Sequence, residues 1–105
     1  MITPTLSIPQ EEIKRFCERW LVTEFALFGS VLRDDFGPHS DVDVLVSFSS
    51  EAHWSLFDLV RMEAELGALF GRDVDLVERA AIEQSPNYIR RKSILKNPEV
   101  IYAQR

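Results

Sequence analysis

The sequence predicts an α/β fold of the α+β type, a small mixed sheet with helices packed on it. Three observations carry this expectation. Residues 23–28, 41–48 and 73–78 are short runs rich in apolar, β-branched or aromatic residues, which read as strands. The segments around them place apolar residues at helical spacing. Gly29, Gly37-Pro38, Gly71, Pro86 and Pro98 punctuate the junctions. With 105 residues, 46% of them hydrophobic, the chain has room for one domain over 1–105 and enough apolar side chains to avoid disorder.

The first element is a helix. Ser7 and Gln10 have capping-box spacing and Pro9 suits a first turn. Ile13, Phe16, Cys17 and Trp20 then form an apolar stripe in which Cys17 fills core space. Residues 23–28 make a buried strand closed by Gly29. Residues 30–35 suit one or two helical turns, and 36–40 a turn. Residues 41–48 alternate as a second strand, and 49–54 are loop. The longest helix runs from Ser55 to about Phe70, with Leu56, Phe57, Val60, Ala64 and Leu69 as its core stripe and Gly71 as its stop. Residues 73–78 make a third strand. Ser85-Pro86 opens a last helix over about 87–96, and residues 100–102 suit a short terminal strand.

Composition excludes several function classes. No run of about 18 apolar residues exists, so no transmembrane helix is expected. The N-terminal residues lack a basic stretch followed by an apolar one, so no secretory signal is expected. The single Cys17 excludes an internal disulfide and a cysteine-cluster zinc site. A cytoplasmic protein fits these absences. The net charge of −5 argues against direct binding of nucleic acid, which needs a basic surface. The charge is uneven: residues 1–78 carry 6 Lys and Arg against 15 Asp and Glu, and residues 79–105 carry 6 against 2. Arg90, Arg91, Lys92 and Lys96 read as a solvated helix face, with phosphate or an acidic partner as the functional alternative.

The chemistry lies in three acids set within apolar strands. Side chains alternate along a strand, so Asp41 and Asp43 share a face while Val42, Val44 and Val46 point into the core. Two carboxylates about 7 Å apart on one face repel each other. A divalent cation between them offsets that repulsion, and Mg2+ favours carboxylate oxygens. Asp75, between Val74 and Leu76, repeats the pattern and can complete a three-carboxylate cluster if the two strands are neighbours. Asp73 is the runner-up. Upstream, Gly29-Ser30 ends a strand where a short helix begins. A helix N-terminus attracts phosphate, the Ser30 hydroxyl adds a donor, and Arg33 can add a charged fork. A phosphate cradle beside a paired-carboxylate metal site is what a nucleoside triphosphate requires.

Gly29-Ser30, ten intervening residues, then Asp41-Val42-Asp43 resembles the signature of the DNA polymerase beta-like nucleotidyltransferase superfamily. The stretch GSVLRDDFGPHSDVDVLV, with Arg33 and with Ser40 before the first aspartate, is similar to its minimal nucleotidyltransferases, small proteins often encoded beside a HEPN partner. The likeness extends over nearly the whole chain. It implies the polymerase beta-like fold, with Gly29 and Ser30 holding a triphosphate. It further implies that Asp41 and Asp43 bind two Mg2+ ions. Asp75 would be the third carboxylate, binding the catalytic metal and assisting deprotonation of the acceptor hydroxyl. Arg33 matches a commonly basic position.

The implied activity is transfer of a nucleoside monophosphate, AMP from ATP, to a hydroxyl. The implied acceptor is a tyrosine of a partner HEPN ribonuclease toxin, with this chain as antitoxin. Two alternatives stay open: a non-catalytic module that neutralises its partner by complex formation, and a small-molecule nucleotidyltransferase. The second usually carries an added acceptor domain, for which the predicted elements leave no residues. Homo- and hetero-oligomers fit the sequence equally.

Overall fold

The computed structural model describes residues 8–29, 41–96 and 98–104. Its elements are α1 (Gln10–Arg19), β1 (Val22–Phe28), β2 (Val42–Phe48), α2 (Leu56–Phe70), β3 (Val74–Glu78), α3 (Arg79–Glu83), α4 (Tyr88–Leu95) and β4 (Glu99–Ala103). The strands form a mixed sheet in the order β3-β2-β1-β4. β1 pairs antiparallel with both β2 and β4, and β2 pairs parallel with β3. A parallel pair needs a long crossover, and α2 supplies it.

Strand alternation gives the sheet two apolar faces. Phe25, Leu27, Val42, Val44 and Val46 pack against Ile13, Phe16 and Cys17 of α1 and against Met62 and Leu66 of α2. Ala26, Phe28 and Leu45 pack on the other side against Ile82 of α3 and Ile94 of α4. Each large side chain so buried contributes roughly 1.5–3 kcal/mol. Phe16 meets Phe25 edge-on at 6.2 Å. Trp54, after β2, packs edge-on against Trp20 at 5.0 Å and donates its indole N–H to the Trp20 carbonyl at 2.9 Å. This makes Trp54 a packing residue.

The helix ends follow local chemistry. Gly71 closes α2 at φ 68°, as the sequence predicts, and Ser55 caps it in a capping box with Asp58, a pairing outside the sequence-based expectation. α1 begins two residues later than the capping box implies: Pro9 is its N-cap and Gln10 its first residue, so Gln10 cannot serve the capping box proposed for it. Ser7, the other half of that box, lies outside the described residues, as do the helical turn and loop expected over 30–40. α4 is capped by Asn87, whose side chain accepts the Arg90 N–H at 3.0 Å, rather than by Ser85.

The core stripe of α2 is the main correction. Leu56, Phe57, Val60 and Ala64 face solvent, and of the predicted stripe only Leu69 packs against the core. The buried arc runs through Leu59, Met62, Leu66, Leu69 and Phe70. Both arcs have helical spacing, but the second extends along the whole helix with large side chains and covers more of the sheet. The first shrinks to alanine after Val60.

Cys17 is fully buried and free of a disulfide. Burial, reinforced by the neighbouring Glu18 charge, pushes its thiol from 9.0 up to about 12. Native protein should therefore resist a thiol-exchange reagent at about pH 8 and react only on unfolding. The raised value also sets a sign. The thiol's contribution to stability is whole below pH 9, where neither state ionises, and is lost as pH climbs toward about 12, because the unfolded chain releases its proton first. Denaturant unfolding across that window should show the loss, weakened in Cys17→Ala. Rapid labelling of folded protein would contradict the assignment.

Candidate active site

Three strand ends meet at one end of the sheet: β1 finishes at Phe28 where β2 and β3 begin. In register, Phe28 lies opposite Asp43 and Asp43 opposite Asp75. Neighbouring strands stand about 4.8 Å apart, so Asp43 and Asp75 are adjacent positions on adjacent strands. Both alternate with residues of the α1/α2 core, Val42 and Val44 for one and Val74 and Leu76 for the other. They therefore share the opposite face with Phe28, Leu45 and Val77. A hydrogen bond from the Val42 N–H to the Asp73 carbonyl, at 2.9 Å, holds the two strand starts level.

Asp41 lies just ahead of β2, exposed, and Asp43 is half-buried. Asp75 is exposed on the edge strand. No polar or charged residue among the described residues is fully buried, so these carboxylates keep contact with water and escape the heavy cost of burying charge. Asp73, the alternative third acid, precedes β3 and is two positions out of register with Asp43. The geometry favours Asp75.

Gly29 closes the site at the end of β1. Its φ of +72° is left-handed, where glycine is at ease. A methyl group added there would run into the Asp43 carboxylate oxygen and come within 3.2 Å of its Cγ. The lack of a side chain thus lets the turn backbone lie directly against Asp43. Ser30 and Arg33, the other two phosphate-binding candidates, lie outside the described residues, as do His39 and Ser40.

The donor set suits magnesium in kind, since every candidate ligand is a carboxylate oxygen. The predicted cluster of three is not closed, however. Among the described residues no group of three or more His, Cys, Asp or Glu is gathered closely enough to hold a metal ion. The register brings Asp43 and Asp75 together, while Asp41 stands two residues along the chain from Asp43.

One supporting residue escaped sequence reasoning. Glu63 of α2 accepts the Leu76 N–H at 2.9 Å and so satisfies the open edge of β3 beside Asp75. Its signal, adjacency to the buried Met62, becomes visible only once the true core arc is known. The basic segment lies on α4 and its C-cap, where Arg90, Lys92 and Lys96 are exposed and Arg91 is half-buried. Arg91 donates to the Ser85 carbonyl at 3.3 Å and lies 5.6 Å from the Tyr88 ring, with Lys92 at 5.9 Å from the same ring.

Residues 10–98 match the family described as the nucleotidyltransferase domain. The protein adenylyltransferase MntA of Thermococcus cleftensis is 37% identical over 89 residues, which span 85% of this chain and 82% of that protein. A solved minimal nucleotidyltransferase superposes with a TM-score of 0.63 at 29% identity, over 85% of each chain. A toxin–antitoxin structure with AMP-PNP gives a TM-score of 0.69 at 15% identity, covering 93% of this chain and 76% of that one. At that identity the likeness establishes the fold alone.

Proposed function

The chain belongs to the nucleotidyltransferase domain family, and from that membership we propose that it transfers AMP from ATP to a hydroxyl of a partner protein. The acceptor is a tyrosine of a HEPN-type toxin, and this chain is its antitoxin. The observation that carries the reading is the register setting Asp43 beside Asp75, with the Gly29 backbone against the Asp43 carboxylate. The protein acceptor is supported by the 37% identical relative, a protein adenylyltransferase. A toxin partner and a nucleotide donor are supported by the neighbour solved as a toxin–antitoxin pair with AMP-PNP. A cytoplasmic setting, where ATP is plentiful, goes with this reading.

The residues divide the work. Asp41 and Asp43 would hold Mg2+, two ions in this reading, and Asp75 would add the third carboxylate. When bound, the metal would lower the pKa of the attacking hydroxyl and offset charge on the leaving group. Asp75 takes the hydroxyl proton on its carboxylate as the acceptor oxygen bonds to the α-phosphorus. The bond from that phosphorus to the bridging oxygen breaks, and pyrophosphate leaves with the electron pair. Gly29 and Ser30 seat the triphosphate through the turn at the end of β1, and Arg33 adds positive charge.

The test is incubation of the chain with Mg2+, α-labelled ATP and its HEPN-type partner. Label on the partner, lost when the acceptor tyrosine becomes Phe, is the expected result. A stoichiometric complex that never takes up label would overturn the catalytic reading in favour of neutralisation by binding. Label on a small molecule instead would overturn the protein acceptor.

A further inference from the structure

Helix α2 is apolar on two opposite sides. Met62 and Leu66 are buried against the sheet. At 100° per residue, Leu56, Phe57, Val60, Ala64 and Ala68 fall together on the opposite arc. Leu56 is 75% exposed, Phe57 82% and Val60 56%. Arg61 is the only charged residue on that arc. The acids of the helix lie along its flanks and are engaged within the fold: Asp58 with Ser55, Glu63 with the Leu76 N–H, and Glu65 with Arg19 and the Trp20 indole. A helix apolar on both sides is normally a buried helix, and a contiguous apolar patch of this kind marks an interaction surface.

We propose that this outer face of α2 docks an apolar helix of a partner protein whose flanks carry Lys and Arg. Leu56, Phe57 and Val60 supply the anchors, and the small Ala64 and Ala68 let a second helix approach closely. Charge selects the partner. α2 carries Asp58 on one flank and Glu63 on the other against Arg61, Glu65 being paired with Arg19, within a 78-residue stretch holding 15 acids against 6 bases. A second copy would bring an equally acidic helix, with a net −5 per chain, against this face. A basic-flanked helix meets complementary charge on both sides of the apolar seam. The face also lies on the side of the sheet opposite Asp43 and Asp75, so docking leaves the carboxylates open. The proposal is independent of the nucleotidyl-transfer reading.

Two probes test it on the full chain: an amphipathic peptide with a leucine face and Lys/Arg flanks, and the same peptide with Glu flanks. By fluorescence anisotropy the basic peptide should bind at least about tenfold tighter than the acidic one, and more weakly as salt rises. Phe57→Glu and Val60→Glu should each weaken binding at least about tenfold with little change in melting temperature, because both side chains are exposed. Absence of binding, equal affinity for the two peptides, or an unaltered affinity in Phe57→Glu would overturn the proposal. So would a concentration-dependent dimer in sedimentation that Phe57→Glu abolishes, which would assign the face to a second copy. None of these measurements involves nucleotide, so transfer activity can fail or succeed separately.

Discussion

Asp43→Asn should lower the rate of nucleotidyl transfer by about a thousandfold or more, roughly 4 kcal/mol of barrier, while the fold survives. Asp43 is the middle position of the site, opposite Asp75 on one side and Phe28 on the other. The amide keeps the size and shape of the carboxylate but not its charge, so it fills the space beside Gly29 and holds a divalent cation poorly. Added Mg2+ should raise the melting temperature less than in the wild type. Asp73→Asn is the matched control. It removes an acid from the same segment, but that acid precedes β3 out of register with Asp43, and the contact it gives β2 is made by its backbone carbonyl. It should retain most activity. Wild-type transfer by Asp43→Asn, or equal loss in both variants, would refute the placement of the site.

The parts of this molecule legible in the sequence are those where one chemical pattern has one structural solution. Val42, Val44 and Val46 can be buried together only if Asp41 and Asp43 turn the other way. Gly71 after an apolar helix has few roles but a left-handed stop. The pairing of Asp43 with Asp75 was conditional, because it needs β2 and β3 to be neighbours, a fact of topology that no local pattern holds. Where a pattern had two solutions, the sequence could not choose. α2 offers two arcs at helical spacing, and burial went to the one with large side chains along its full length. Ser85 and Asn87 are both good caps, and the helix took the one nearer its apolar residues. α3 left little trace because five residues are too few to show a period; Arg79 and Glu83, which pair at 3.2 Å one turn apart, were its only signal.

Gly29→Ala should separate the cost in stability from the cost in activity, and the second should be much the larger. Two effects act at this position. The left-handed φ of +72° costs an alanine about 1–2 kcal/mol, which a denaturant titration can read. The added methyl also meets the Asp43 carboxylate oxygen, and that oxygen is the far end of a side chain that can swing aside. Swinging costs the fold little. It takes the carboxylate from its place beside Asp75, so transfer should fall nearly as far as in Asp43→Asn, about a hundredfold or more. A double-mutant cycle isolates the clash. In an Asp43→Ala background the nearest remaining atom of residue 43 is its Cβ, 3.5 Å from the new methyl and in ordinary contact. There Gly29→Ala should cost only the backbone strain, so any excess cost with Asp43 present measures the displaced carboxylate. Stability loss without activity loss in the single variant would mean that Asp43 need not stay beside the turn for transfer to proceed. Gly29 would then matter for its φ alone.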